Sequence, residues 1–266
     1  MTARQWLMAR LPPGVSLWLH AYKAYYKSEP ELPWALTKVS PRDLVVDVGS
    51  NVGIYTFWLA KRVGLAGRVL ALDPAEPCVR YLRTAALQLG LSQVSVLHCG
   101  ASDKSTTLEL HIPIETSDPK LTRATFRPIA GPAQAVSVQV SCLDELLSGR
   151  DRPASFIKCD TEGHEFAVLR GAQGILTSDR PTLLVECEQR HLNYDMQDTF
   201  DYLLNLGYCG WFLDARGMPR PLGEFSPSSH QLPYLDDLSS PNYVNNFLFD
   251  HPAKATAARR PTARGR

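Results

Sequence analysis

The sequence predicts an α/β protein with a mostly parallel central sheet and helices on both of its faces. Short apolar strand patterns alternate with helical patterns from residue 44 onward, beginning with "LVVDV" (44–48) and "GRVLALD" (67–73). Such alternation builds a parallel sheet whose crossover helices cover both faces. Two glycines four residues apart, Gly49 and Gly53, follow the first strand. A glycine-spaced turn between a strand and a helix is typical of a ligand site at the carboxyl edge of such a sheet.

The remaining elements follow from hydrophobic periodicity. Further strands are expected at 94–99, 106–112, 135–140, 155–160, 182–188, 208–214 and 243–250. Helices are expected over 53–63 and 198–206, around Leu82, and along one stripe from Phe166 to Leu176. Ser141 and Asp144 have the spacing of a capping box that opens a short helix through Leu147.

Length and composition favour one large domain with attachments. The chain has 266 residues, of which 44% are hydrophobic, and its net charge of +1 provides no global attraction for nucleic acid. We expect an aromatic-rich helical cap or lid (1–40), a main domain (41–250) and a disordered basic tail (251–266). No apolar run reaches the roughly 18 residues of a membrane span, so stable membrane insertion is not expected.

The six cysteines are scattered, without a CxxC pair or a cysteine–histidine cluster. This distribution predicts reduced core thiols in a cytoplasmic protein. The sequence leaves the oligomeric state open, with a homo-oligomer as one alternative.

The turn after the first strand limits the kind of ligand. Backbone N–H groups at a helix start favour an anion, and the glycines leave room for a ligand. A dinucleotide site needs G-x-G-x-x-G, but Asn51 replaces the second glycine, which argues against NAD or FAD. Asp73 ends the second strand, where an acid accepts hydrogen bonds from ribose hydroxyls, and Asp47 can bind an ammonium group. An amino acid joined to a nucleoside without phosphates describes S-adenosylmethionine; a purely structural turn is the alternative.

A second stretch, "FIKCDTEGHEFAVLRGA" (156–172), gathers ionisable groups at a strand end. Alternation places Lys158 and Asp160 on one side of the strand, and Glu162 and His164 at the mouth of the loop. Acids in the first turn of a helix also complement its dipole, so a structural role is the alternative here.

These motifs resemble the FkbM family of S-adenosylmethionine-dependent methyltransferases. The stretch "VVDVGSNVGIYT" is similar to that family's D-V-G-A-N-x-G-x-Y-T turn, with Ser50 in place of the usual Ala. "FIKCDTEGHE" is similar to its I-K-x-D-x-E-G-x-E stretch, and "SEPEL" (28–32), "LLVECE" (183–188) and "NNFLF" (245–249) also match family features. A departure is "LDP" (72–74), where F-E-P is commoner.

The resemblance implies a class I methyltransferase (Rossmann-like) fold of seven strands, the last antiparallel. It also implies O-methylation of a small hydroxyl acceptor, such as a sugar, a polyketide or another secondary metabolite. The expected cofactor-binding residues are Asp47, Gly49, Ser50, Asn51, Gly53, Asp73, Asp160 and, as an adenine contact, Ser102. The expected acceptor pocket involves 113–134 and 215–242.

Methyl transfer to an alcohol needs a proton acceptor, and Glu162 and His164 are both candidates. Asp160 then shapes the site and holds the charged end of the cofactor, and Lys158 steadies the carboxylates. Binding of Mg²⁺ by Asp160, Glu162 and Glu186 is an open alternative. Two other functions also stay open: a non-catalytic S-adenosylmethionine-binding protein and an NAD-dependent oxidoreductase.

Overall fold

The computed structural model describes residues 11–115 and 118–254, with two sheets and the helices around them. The strands are β1 (Leu44–Val48), β2 (Arg68–Asp73), β3 (Val94–His98), β4 (Gly100–Ala101), β5 (Thr106–Glu115), β6 (Asp118–Pro119), β7 (Ala133–Ser141), β8 (Ala154–Cys159), β9 (Thr182–Glu186), β10 (Cys209–Leu213), β11 (Pro219–Pro221) and β12 (Asn246–Asp250). The helices are α1 (Pro13–Lys23), α2 (Glu31–Leu36), α3 (Ile54–Val63), α4 (Glu76–Gln88), α5 (Leu143–Leu146), α6 (Glu165–Arg170), α7 (Gln173–Ser178), α8 (Gln197–Asn205) and α9 (Pro227–His230).

The central sheet has the order β11-β10-β12-β9-β8-β1-β2-β3. Strands β9, β8, β1, β2 and β3 are parallel, and β12 is antiparallel to both β9 and β10. The seven strands predicted for this sheet are therefore confirmed, including the antiparallel late strand. The structure adds β11, a short edge strand that pairs with β10 as a hairpin.

The part of the chain that connects β3 to α5 forms a second sheet, of order β4-β7-β5-β6. Its long strands β5 and β7 are antiparallel and were both predicted from alternation. Leu110, Ile112 and Val138 pack in a small apolar cluster with Ala75 and Cys78, which lie at the carboxyl end of β2 and the start of α4. The second sheet is thereby held against the edge where the ligand site was predicted.

Helices cover both faces of the central sheet, each over its own apolar cluster. One cluster joins the inner residues of α6, α7 and α8 to the strands, and the other joins α1 and α2 to α3 and α4. Helix α1 is tied down by polar contacts too: Gly14 N donates to Gln88 Oε1 at 2.7 Å, and Trp58 Nε1 donates to the Ala21 carbonyl at 2.9 Å. Residues 11–36 of the predicted cap therefore share the core of the main domain. Residues 1–10 and the tail beyond 254 lie outside the described residues.

The helical stripe predicted from Phe166 to Leu176 is two short helices, α6 and α7, rather than one. Gly171 lies between them, and a Cβ atom there would be 1.9 Å from the carbonyl oxygen of Ser102. Asp144 bridges the break: its N–H donates to the Gly171 carbonyl, and its carboxylate accepts from the N–H groups of Gly174 and Ile175 at 2.7 and 2.8 Å. The predicted capping box at Ser141 is wrong, because Asp144 caps the neighbouring helix instead of its own.

Within residues 11–115 and 118–254, no helix is long and apolar enough to cross a membrane. The six cysteines have free thiols, and Cys209 is the most exposed of them.

Candidate functional site

The turn between β1 and α3 is held by the chain's own backbone. The N–H groups of Gly49 and Ser50 donate to the Leu72 carbonyl, and that of Asn51 donates to Asp73 Oδ2 at 2.7 Å. These three donors are engaged within the protein, so an anion could be bound only by the N–H groups that follow them at the start of α3. Three residues of the turn have positive φ: Gly49 (+75°), Asn51 (+49°) and Gly53 (+89°).

The glycines are required by contacts within the protein rather than by a ligand. A Cβ atom at Gly49 would be 1.7 Å from the Asp160 carbonyl oxygen, and one at Gly53 would be 2.3 Å from Leu82 Cδ1. The turn after β1 is therefore packed directly on the loop after β8. This contact brings the two sequence motifs together at one edge of the sheet.

A first cavity opens over the carboxyl ends of β1 and β2. Asn51, Asp73, Asp160 and Glu162 provide polar groups, while Leu110 and others provide apolar ones. The remaining lining residues are Val48, Gly49, Leu72, Pro74, Cys99, Gly100, Ala101, Leu121, Thr122, Ala124, Phe126 and Thr161. Carboxylates therefore supply all the formal charge among the lining residues of this cavity.

Asp73 is buried at the base of this cavity. Its Oδ1 accepts from the Ala75 N–H at 2.8 Å, and its Oδ2 accepts from the Asn51 N–H. Burial raises the pKa of Asp73 to about 6, against the opposing effect of these two hydrogen bonds. Each oxygen of a carboxylate has a second lone pair, so the geometry leaves Asp73 able to accept from two adjacent hydroxyls.

A second cavity adjoins the first and shares Gly49, Asn51 and Asp160 with it. Its other lining residues are Glu29, Asp47, Ser50, Val52, Ile54, Tyr55, Lys158, Glu186, Asn245 and Asn246. Two buried oxygens of these residues, Asp47 Oδ1 and Ser50 Oγ, have no hydrogen-bond partner. Buried polar atoms without partners are costly, so these two oxygens are candidate acceptors for a ligand or an ordered water.

Lys158 lies at the centre of the charges of the second cavity. Its Nζ is 2.7 Å from Asp160 Oδ2 and 4.7 Å from the centre of the Tyr55 ring. Burial alone would lower the pKa of Lys158, but the carboxylates of Asp160, Asp47 and Glu186 raise it above its usual value. Lys158 is therefore a charged partner of Asp160 and not a proton acceptor.

The carboxyls around Lys158 have different protonation tendencies. Burial favours the neutral form of Asp160, but Lys158 and a hydrogen bond with Glu186 bring its pKa below the usual range. Burial and the charge of Asp160 raise the pKa of Glu186 well above its usual value. Burial also raises the pKa of Asp47, whose Oδ2 accepts from Thr56 Oγ1 at 2.5 Å. Asp160 is thus the ionised member of the group.

Glu162 lines the first cavity on a loop with an unusual backbone. Its φ is +54°, and Thr125 Oγ1 donates to its carbonyl at 2.7 Å. Buried Glu165 fixes this loop, because its Oε1 accepts from Thr161 N, Thr161 Oγ1 and Gly163 N. Glu165 therefore has a structural role, which shapes the loop that presents Glu162.

The Glu162 side chain faces His191, which the sequence analysis did not identify. Glu162 Oε2 is 3.2 Å from His191 Nδ1. Burial, together with the charges of Asp160 and Glu188, raises the pKa of Glu162 to about 8. Burial lowers the pKa of His191, which therefore favours the neutral imidazole. A carboxyl of this kind exchanges a proton near neutral pH.

His164 and Ser102 contact each other instead of the cavity. His164 Nε2 is 2.9 Å from Ser102 Oγ, and the ring centre of His164 is 5.1 Å from that of Phe126. Neither residue lines either of the two cavities. Gly100 and Ala101, which precede Ser102, line the first cavity instead. Burial lowers the pKa of His164.

Among the described residues, no group of three or more His, Cys, Asp or Glu side chains is arranged to hold a metal ion. The predicted Mg²⁺ alternative is therefore not supported. The Lys158 ammonium contacts Asp160, which is one of the three carboxylates predicted to bind Mg²⁺.

Several residues around the two cavities were not assigned a role from the sequence. Glu29 accepts from Tyr55 Oη at 3.3 Å, and Asn245 Nδ2 donates to Glu186 Oε1 at 2.6 Å. Both lie in the short motifs "SEPEL" and "NNFLF", so the motifs were a usable signal. His191 had no such signal, because its partner is 29 residues away and its loop has no regular periodicity. His230, in the stretch 215–242 expected to form the acceptor pocket, stacks on Phe225 and lines a separate cavity.

The strand order and the antiparallel β12 define the fold of class I methyltransferases, and both cavities lie at the carboxyl edge of its parallel strands. Residues 47–209 match the model of the family described as Methyltransferase FkbM domain, and the chain belongs to this family.

Three individual proteins and structures to which the chain is similar share at most 29% of aligned residues with it. The chain is 29% identical over 155 residues to "Methyltransferase sdnD" of Sordaria araneosa, covering 48% of this chain and 59% of that protein. Among solved structures it is similar to methyltransferase FkbM from Methylobacillus flagellatus KT, with 18% identity and a TM-score of 0.49, covering 92% of this chain and 57% of the other. A second is a SAM-dependent methyltransferase from Aquifex aeolicus, with 16% identity and a TM-score of 0.45, covering 91% and 98%. The chain thus spans less than two thirds of the first two.

Proposed function

We propose that this protein transfers the methyl group of S-adenosylmethionine to a hydroxyl of a small molecule, such as a sugar, a polyketide or another secondary metabolite. The observation that carries the proposal is the acid-rich lining of the two adjoining cavities. Asp73, Asp160 and Glu162 line the first, Asp47, Glu29 and Glu186 are added by the second, and the single Lys158 is paired with Asp160. Carboxyl oxygens accept hydrogen bonds in either protonation state, so they suit the hydroxyl and ammonium donors of a nucleoside joined to an amino acid, whereas the lining residues offer no unpaired cation to a pyrophosphate.

The residues of the two cavities fit the two ends of this cofactor. Asp73 accepts hydrogen bonds from the ribose, with Gly100, Ala101 and Phe126 beside the adenine. In the second cavity, the unpartnered oxygens of Asp47 and Ser50 complement an amino-acid end, with Asp47 accepting from the ammonium. When bound, S-adenosylmethionine supplies an electrophilic methyl group attached to a sulfonium.

Glu162 removes the proton of the acceptor. Its Oε2 contacts His191 Nδ1, so its Oε1 accepts the proton as the acceptor oxygen forms its new bond to carbon. His191 orients the carboxyl, and Thr125 and Glu165 hold the loop. We assign the proton-accepting role to Glu162 and not to His164, because Glu162 lines the cavity whereas His164 is bonded to Ser102. Asp160 and Lys158 form the floor between the cavities.

The experiment has two stages. Calorimetry measures binding of S-adenosylmethionine to the protein and to Asp73→Asn, which should bind at least about tenfold more weakly because one hydroxyl acceptor is lost. The protein is then incubated with labelled cofactor and a metabolite extract, and mass spectrometry identifies products that gain one methyl group.

Each stage has its own informative result. If S-adenosylmethionine does not bind, the proposed function is wrong. Tight binding without methyl transfer to any extract indicates a non-catalytic cofactor-binding protein, and binding of NAD in preference to S-adenosylmethionine indicates an oxidoreductase.

A further inference from the structure

Helix α1 has an exposed apolar face that the site does not use. Its inner residues, such as Leu17 and Ala21, are completely buried. On the opposite side are five large apolar or aromatic residues that stay exposed: Val15 (45%), Trp18 (43%), Leu19 (37%), Tyr22 (37%) and Tyr26 (72%), the last in the π-helical turn that continues the helix. Their spacing of three and four residues forms one stripe, which we call the aromatic stripe.

The aromatic stripe is preformed by ring packing. The Trp18 and Tyr22 ring centres are 4.8 Å apart, and those of Tyr22 and Tyr26 are 6.4 Å apart. Tyr22 also packs on Trp58 of α3 at 4.9 Å, and Trp58 donates a hydrogen bond to Ala21 of α1. A rigid surface loses little side-chain entropy when a partner covers it.

The charged residues of α1 and of the π-helical turn after it are all basic. Residues 13–28 contain no Asp or Glu, whereas Lys23 and Lys27 are exposed beside the stripe. Lys61 is exposed on α3, with its Nζ 5.6 Å from the centre of the Phe57 ring, and that ring in turn contacts Tyr22 at 6.3 Å. The apolar face is therefore bordered by cations on two helices.

We propose that the aromatic stripe docks on the surface of an anionic lipid bilayer. Trp and Tyr rings are amphipathic and concentrate at the interface between lipid tails and water. Lysines beside an apolar helix face add attraction to anionic headgroups. Residue Glu29 follows the π-helical turn and lines the second cavity, so a docked helix is joined directly to the site wall. The inference concerns binding alone and is independent of the proposed methyl transfer.

The test is co-sedimentation of the 266-residue protein with vesicles of phosphatidylcholine, either pure or mixed with phosphatidylglycerol. We expect a bound fraction at least about fivefold larger with the anionic vesicles, decreasing in high salt. The triple variant W18S/Y22S/Y26S should lose binding to both kinds of vesicle. The double variant K23E/K27E should lose the preference for anionic lipid, and it tests the proposal even if the aromatic variant does not fold.

The matched control is L87S, because Leu87 is a surface leucine of α4 that is 83% exposed. It should bind like the unchanged protein. Equal binding by the aromatic variant and L87S would overturn the proposal, as would failure of the unchanged protein to bind anionic vesicles. Sedimentation velocity without lipid gives a further outcome: a dimer that dissociates in the aromatic variant would show that a second copy, not a bilayer, covers the stripe.

Discussion

Among single residues, Glu162 has the surroundings that bear most directly on turnover. Its pKa is raised to about 8, chiefly by burial, so below that pH most of it is protonated and unable to accept a proton. We therefore expect kcat to rise with pH through about 8 and then to level off. Glu162→Gln should lower kcat by about 10²–10⁴-fold, with unchanged cofactor affinity. Initial rates with labelled cofactor across pH measure both effects.

A surface glutamate provides the control for this prediction. Glu224 forms an exposed ion pair with Arg220, so Glu224→Gln should leave both the rate and its pH dependence unchanged. Near-normal turnover in Glu162→Gln would remove Glu162 from the proton-accepting role. An unchanged pH profile in that variant would assign the titration to another group.

The raised pKa of Asp73 predicts a pH dependence of cofactor binding rather than of turnover. Its pKa is raised from 3.8 to about 6, so the folded state holds the proton more tightly than the unfolded chain does. Protonation of Asp73 thus favours folding, and this contribution is lost as pH rises from 3.8 through about 6. Under the proposed assignment, cofactor binding has the opposite dependence, because the ribose hydroxyls would donate to the ionised carboxylate.

We therefore expect cofactor affinity to be constant above about pH 6 and to fall by up to about tenfold per unit below it. Calorimetry at several pH values tests this in the unchanged protein and in Asp73→Asn, which should show weaker binding without that dependence. An Asp73→Asn variant that retains the same acid limb would show that another carboxyl is responsible.

At the scale of elements, the break between α6 and α7 depends on Asp144. Its carboxylate accepts from two N–H groups in the first turn of α7. Asp144→Ala removes this cap, so we expect the free energy of unfolding to fall by about 1 kcal/mol, within the usual range for a lost cap. Urea denaturation measures the change. Asp144→Asn keeps one acceptor oxygen and should lose less; equal losses would mean that charge, not capping, is the origin.

The contact of Gly49 with the loop after β8 can be tested against a second glycine. Gly49 (φ +75°) and Gly90 (φ +65°) both have a positive φ, but a Cβ at Gly90 meets no atom within 4 Å. Gly90→Ala should cost about 1–2 kcal/mol from conformation alone. Gly49→Ala adds a clash with backbone and should cost at least about 3 kcal/mol more, enough to impair folding. Similar unfolding midpoints for the two variants would contradict the contact.

Hydrophobic periodicity predicted the strands that have regular apolar patterns. It did not predict features that depend on contacts between residues distant in the sequence. The seven strands of the central sheet and the pair β5 and β7 have alternating or continuous apolar patterns, so their positions were readable. The break at Gly171 was not, because its cause is the carbonyl of Ser102, which is distant in the sequence. The pairing of β11 with β10 was also missed, since "PRP" (219–221) has no strand-like composition.

The residues of the candidate site likewise fall into two groups: those that motifs identified, and those whose positions depend on long-range contacts. Asp73 and Glu162 were identified because motifs place them at strand ends, and both line the first cavity. Ser102 and His164 also lie in or near strand ends, but their mutual hydrogen bond depends on how α6 approaches β4. His191 depends on a loop fixed by Gln231, which accepts from Gln189 N at 2.9 Å from another part of the chain. Spacing in sequence cannot show such contacts.

At the scale of the whole molecule, ligand binding should stabilise the fold. A cofactor at about a hundred times its Kd adds about 2.7 kcal/mol, which raises the melting temperature by about 5–10 °C in a chain of this size. Differential scanning fluorimetry with S-adenosylmethionine and with S-adenosylhomocysteine should show this rise. NAD should show no shift, because the lining residues offer no unpaired cation to its pyrophosphate. A larger shift with NAD would refute the assignment of the cavities.

The partition between the two cavities is made largely of main chain, since Gly49 rests on the carbonyl of Asp160. Exchanging side chains elsewhere leaves such a divider in place. Substitutions at the outer walls, such as Phe126 on one side and Asn245 on the other, would therefore change what each cavity holds without merging the two.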